Sequence, residues 1–180
     1  MNLVYRLQHK DYLKQQLYQA SKNKSIQKRK VRSWMLLSIA GLIMSVVLYD
    51  SESSLMFYFS ACITTLTIVF YSVYFKNRFK QHYIKFISET YRKRFGKESN
   101  ITFEASFIAS IDMIAEAKIN YSVFEEIIEI STHFFIKMET GGSLIIPKDA
   151  VQDLKKLNTL LQDLAIELKI EYTTELNWKW

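Results

Sequence analysis

Residues that break or bridge structure are scarce in this 180-residue chain, which has one proline, one cysteine and four glycines. A single cysteine excludes a disulfide framework within the chain and suits a reducing compartment. Cys62 lies in an uncharged run, where it reads as a small apolar packing residue. Also missing are the HExxH and CxxC spacings of metal sites, the GxSxG of a nucleophile elbow and any phosphate-cradling glycine loop. The three histidines, His9, His82 and His133, are nowhere near helical ligand spacing. The sequence therefore offers no catalytic residue, no cofactor site and no metal site, and a non-enzymatic protein is the expectation. His133 reads as an exposed strand residue.

Charge is absent from two long stretches. Residues 33–49 read SWMLLSIAGLIMSVVLY and residues 55–75 read LMFYFSACITTLTIVFYSVYF. As helices, runs of this length match about 30 Å of hydrocarbon, the first at the short limit. Trp34 and Tyr49 mark the ends of the first, where interfacial aromatics belong. Two other readings of such runs are a cleaved signal peptide and a buried core hairpin. The first run starts too far from the N-terminus, and is followed too soon by a second, to suit a signal peptide. A mean hydropathy of −0.04 conceals this concentration of apolar residues.

What charge there is follows a pattern. Residues 1–33 hold nine Lys/Arg against the single acid Asp11, a net of +8. The connector 50–54 holds only Asp50 and Glu52, and residues 76–97 hold eight Lys/Arg against Glu89, a net of +7. From residue 98 onward seven Lys face fourteen Asp/Glu, a net of −7. By the positive-inside rule, both termini of a two-span hairpin then face the cytoplasm. The juxtamembrane set Lys28, Arg29, Lys30, Arg32, Lys76, Arg78 and Lys80 is a topology signal and a candidate contact for anionic lipid head groups. The isoelectric point near 9.2 is thus no sign of nucleic-acid binding, because the basic residues hug the apolar runs and the rest is acidic.

Periodicity divides the chain into a basic N-terminal segment 1–32, a hairpin 33–75 with spans 33–49 and 55–75, a basic helical extension 76–97 and an α+β domain 98–180. VYRL suits a short extended piece, and Asp11 suits the cap of a helix through YLKQQLYQAS. Phe79, Tyr83, Phe86, Ile87, Tyr91 and Phe95 form one stripe, which predicts a helix from about Leu55 to Phe95 that stops at Gly96. Beyond it, ITFEASFIAS and MIAEAKINYSVF read as strands, and IIEISTHFFIKME reads as the clearest strand of all. In the last, Ile128, Ile130, Phe134, Ile136 and Met138 share one face. TGGS turns the chain, LII returns it and Pro147 ends the strand. Asp149 suits the cap of a helix whose stripe is Val151, Leu154, Leu157, Leu161, Leu164 and Leu168. The expectation is antiparallel strands closed by a C-terminal helix.

In order, "VYRLQHKDYLKQQLY", the two spans and "INYSVFEEIIEISTHFFIKMETGGSLIIPKDAV" make the chain resemble the YcxB-like family of small bacterial membrane proteins. Its most specific element is the strand–turn–strand ending in Ile145, Ile146, Pro147 and Lys148. Phe124 stands where members often have tryptophan. The resemblance implies a cytoplasmic, pleckstrin-homology-like domain and no catalytic residues. Partners expected on this reading are the lipid bilayer and an unidentified protein, or a second copy forming a homo-oligomer. Glu125, Glu126 and Glu129 are the tentative partner surface. The alternative function is an immunity protein that protects its producer against a membrane-acting toxin. The sequence assigns no role to Trp178 and Trp180.

Overall fold

The computed structural model describes residues 1–49, 54–112 and 116–180. The acidic connector with Asp50 and Glu52 lies outside them, as do Met113 to Ala115 at the start of the second expected strand. The fold is mixed α+β. The chain forms two units, one of residues 1–15 and 86–179 and the other of residues 16–85 with Trp180.

The first unit contains two sheets. Strands β1 (Asn2–Arg6), β2 (Glu98–Phe103), β3 (Phe107–Asp112) and β4 (Glu116–Asn120) follow one another in an antiparallel meander. β1 alternates exposed and buried residues, sending Leu3 and Tyr5 inward, and pairs with β2 through Leu3–Ile101 and Tyr5–Ser99. The second sheet has the order β7 (Ser143–Pro147), β6 (His133–Met138), β5 (Phe124–Ile130), β8 (Glu171–Glu175). Its first three strands are antiparallel, whereas β8 runs parallel to β5. The helix α4 (Leu154–Leu168) comes between β7 and β8 in the chain. Leu3, Tyr5, Ile101, Phe103 and Ile108 of the first sheet share a core with Phe124, Ile127, Phe134, Ile136 and Ile146 of the second. Leu157, Leu161, Leu164 and Ala165 of α4 close it.

Several local expectations need correction. The run 127–139, expected as one strand, belongs to two strands joined by a tight turn at Ser131–Thr132. In the resulting register Ile127 faces Ile136 and Ile128 faces Phe135. Ile128 and Phe135 therefore lie on the opposite face from Phe134 and Ile136, since a change of pairing register moves side chains between faces. Both faces of this sheet are buried: Ile128, His133, Phe135 and Ile145 on one side, Ile127, Phe134, Ile136 and Ile146 on the other. His133, expected at the surface, is among them. The turn at 139–142 is as expected, with Gly141 at φ +83°, a conformation that a side chain disfavours. Pro147 ends β7, an edge strand, where its missing N–H costs no ladder bond.

The cap of α4 is Asp153, whose side chain accepts from the Lys156 N–H at 2.9 Å. Asp149 instead sits in a single 3₁₀ turn, Lys148–Ala150, that follows Pro147. Leu154 then falls outside the buried stripe. Asp11 is not the first residue of its helix, because α1 runs His9–Lys22. Its carboxylate reaches back to accept the Gln8 N–H at 2.7 Å, as the third residue of a capping box does. The long helix α3 (Leu55–Thr90) ends five residues before Phe95. There the Gly96 N–H donates to the Leu7 carbonyl, and Gly96 takes φ +68°.

The second unit is dominated by α2 (Lys24–Val47) and α3, both long and apolar enough to cross a membrane. They pack antiparallel: the Trp34 indole donates to the Ile68 carbonyl, and Tyr49 meets Phe57 edge-on at 5.6 Å. Ser38, Gly41 and Ser45 share the Trp34 face of α2. Small residues there let the backbones approach, as at membrane helix interfaces. The outward side chains are bare: Leu42, Val46, Leu66 and Phe70 are all more than half exposed. Neither helix is the buried core helix considered above.

Gly41 marks a close approach within this pair. A Cβ added there would lie 2.5 Å from the Thr64 Cγ2. Gly41→Val is expected to weaken the helix pair by about 1–3 kcal/mol, the usual cost of overpacking. Gly41→Val paired with Thr64→Ala recovers most of that loss. Thermal unfolding in detergent checks it, and an unchanged melting temperature for the single variant would refute the packing.

Candidate functional site

Two buried polar centres stand out in the α+β unit. The first begins with His133, which opens β6 immediately after the Ser131–Thr132 turn and so points at the first turns of α1. Its Nε2 lies 3.1 Å from the Asp11 Oδ1, and both side chains are 4% exposed. On the other side of the ring, Nδ1 lies 2.8 Å from the Thr132 Oγ1, and Lys14 donates to that hydroxyl at 3.0 Å. These contacts form one chain: Lys14 to Thr132, Thr132 beside Nδ1, Nε2 beside the Asp11 Oδ1, and the Gln8 N–H to the second carboxylate oxygen. Burial alone would raise the Asp11 pKa, but the His133 and Gln8 hydrogen bonds outweigh it and hold the group below the ordinary carboxylate range. The arrangement keeps a carboxylate ionised inside protein and clamps α1 to the sheet.

The second centre surrounds Glu129 of β5, which is 7% exposed. Its Oε1 accepts from the Lys148 ammonium at 2.6 Å. Its Oε2 accepts from the Tyr172 hydroxyl at 3.0 Å and lies 3.5 Å from the Asn158 amide nitrogen. Tyr172 also lies 2.9 Å from the Asn158 Oδ1. Lys148 in turn sits 4.7 Å over the Phe134 ring. Burial, reinforced by the adjacent Glu129 carboxylate, pushes the Tyr172 hydroxyl far above its ordinary value, so it remains a neutral donor. One carboxylate thus ties β5 to the turn after β7, to α4 and to β8.

The three acidic residues named from the sequence do not share a surface. Glu125 is exposed and pairs with Lys137 at 2.7 Å. Glu126 accepts from the Thr173 hydroxyl of β8 at 2.9 Å. Glu129 is internal. Among the described residues no group of three or more His, Cys, Asp or Glu is arranged to hold a metal.

The basic residues belong to the other unit. Lys28, Arg29, Lys30 and Arg32 ride the first turns of α2, and Lys76, Arg78 and Lys80 follow the apolar part of α3. Because the helices are antiparallel, both sets lie at one end of the hairpin. All but Lys30, which is half-buried, are exposed, and Arg78 donates to the Tyr74 hydroxyl at 3.1 Å.

Sequence reasoning missed Thr132, Lys14, Lys148, Asn158 and Tyr172 as members of polar centres. The one legible signal was Asp11, the only acid among the first 33 residues.

Residues 103–161, from the end of β2 to the middle of α4, match the family model described as YcxB-like protein. No curated protein and no solved structure matches the chain.

Proposed function

We propose that this chain is a non-enzymatic protein of the bacterial plasma membrane. In this reading α2 and α3 cross the bilayer as a hairpin. The α+β unit stands in the cytoplasm as a pleckstrin-homology-like module that binds a protein partner or a second copy. The observation that carries the reading is the pairing of β1 with β2. Those strands flank the whole hairpin in the chain, yet they share one sheet, so whatever lies between them must return to the side from which it left. Two apolar helices, bare on their outer faces, satisfy that condition, and one span alone would not. Orientation follows from the +8 and +7 segments at the hairpin's ends, which favour the cytoplasm and the anionic lipid of its leaflet.

Cysteine labelling tests this. In a Cys62→Ala background, Glu52→Cys is expected to react with a membrane-impermeant maleimide in intact cells. Asn2→Cys and Asn177→Cys are expected to react only after lysis. Labelling of either terminal site from outside would overturn the orientation, and labelling of one terminus alone would overturn the hairpin.

A further inference from the structure

One exposed flank of α2 has a structure of its own. Lys28 and Arg32 are one turn apart on it, and Val31, Met35, Leu36 and Ile39 continue the same face. With Gln27 these residues line an open groove of about 490 Å³, a volume in the range of small-ligand sites. Its wall is almost wholly apolar below two cations. Among the described residues neither Lys28 nor Arg32 makes an ion pair. The groove spans residues 27–39, a rise of roughly 18 Å at 1.5 Å per residue, comparable with half a bilayer's thickness. It therefore reaches from head-group depth towards the midplane.

We propose that this groove is a subsite for one anionic phospholipid. The phosphodiester sits between Lys28 and Arg32, and an acyl chain lies along Val31, Met35, Leu36 and Ile39. The occupant follows from charge and depth. Two exposed cations with no ion-pair partner among the described residues are complementary to an anion, Arg can hold a phosphate by two parallel hydrogen bonds, and the apolar remainder matches an acyl chain rather than a free phosphate. A helix of a partner protein would leave both cations unmatched unless it carried acids at the same depth. The inference rests on the membrane reading above and adds to it a defined lipid class and position.

Trp34, two residues from Arg32, supplies the reporter. The full chain carrying Trp178→Phe and Trp180→Phe is placed in phosphatidylcholine nanodiscs. Chain-brominated phosphatidylglycerol or brominated phosphatidylcholine is then titrated in. The expected result is a preference for the glycerol lipid on the order of tenfold in Trp34 quenching, falling to parity in Lys28→Gln/Arg32→Gln. Lys24→Gln/Lys85→Gln, which removes the same charge from two exposed lysines outside the groove and outside the juxtamembrane set, is expected to retain the preference. Equal quenching by the two lipids in the parent, or a preference that survives Lys28→Gln/Arg32→Gln, overturns the subsite while leaving the membrane reading intact. Failure of brominated phosphatidylcholine to quench Trp34 at all means that α2 is not in the bilayer, and overturns both.

Discussion

Glu129→Ala is expected to lower the stability of the α+β unit by about 3–5 kcal/mol, the cost of removing one partner from a buried ion pair. The side chains of Lys148 and Glu129 are 15% and 9% exposed, so the ammonium left behind is poorly reached by water. The Tyr172 hydroxyl and the Asn158 amide also lose their shared acceptor. An unsatisfied buried donor costs about 1–3 kcal/mol. The pair itself need not be strongly stabilising, because bringing two charges out of water offsets much of their attraction. Glu129→Leu/Lys148→Met should therefore be less damaging than Glu129→Ala alone, because no charge is left buried and Tyr172 keeps the Asn158 Oδ1 as an acceptor. Denaturant unfolding of the detergent-solubilised chain, followed by near-ultraviolet circular dichroism, measures both. A Glu129→Ala midpoint equivalent to less than about 0.5 kcal/mol would mean that Glu129 is solvated and the network is not formed.

The same network explains where pattern reading stopped. Glu129 looked like one of three exposed acids because strand alternation was read against a single buried face. The second sheet buries both of its faces, and its turn is only the two residues Ser131–Thr132 with no glycine or proline to mark it, so a hairpin passes for one long strand. The features that were legible rest on local chemistry. Gly141 needs positive φ, Pro147 has no N–H, and Leu157, Leu161 and Leu164 recur at helical spacing. The features that were not legible are non-local. β1 finds its partner across the entire hairpin, and nothing in NLVYR specifies ESNITF. His133 finds Asp11 122 positions away. The strand EYTTE is too polar to announce itself, and its place beside β5 depends on Tyr172 and Thr173 meeting Glu129 and Glu126.

That non-locality bears on function. Sheet pairing on both sides of two apolar helices joins the folding of the α+β unit to the path of the hairpin. The edge strand β1 and the first turns of α1 precede α2, so the unit is incomplete until α3 has emerged and β2 follows. A fragment starting at residue 98 lacks β1, and with it Leu3 and Tyr5 of the core. Tests of partner or lipid binding therefore belong to the full chain.

The clamp between α1 and β6 is expected to respond to acid. Asp11 is held below the ordinary carboxylate range when folded, and in the unfolded chain it returns to about 3.9. Below that value the unfolded state binds a proton that the folded state resists, so this contribution is complete above about pH 4 and is lost as the pH falls through the lower folded value. Asp11→Asn removes the titration, and a plot of unfolding midpoint against pH should lose part of its acid limb in that variant. At neutral pH the larger effect comes from His133→Leu, which strands the Asp11 carboxylate with the Gln8 N–H as its main support, at a cost of about 3–5 kcal/mol. Asp11→Leu/His133→Leu removes both polar groups and should recover part of that loss, leaving the Thr132 hydroxyl free to turn towards solvent. Hydrogen exchange locates the change: in His133→Leu the amides of residues 11–15 should lose protection before those of β5 and β6. If His133→Leu unfolds at the parental midpoint and α1 keeps its protection, the Asp11–His133 bond does not hold that helix to the sheet.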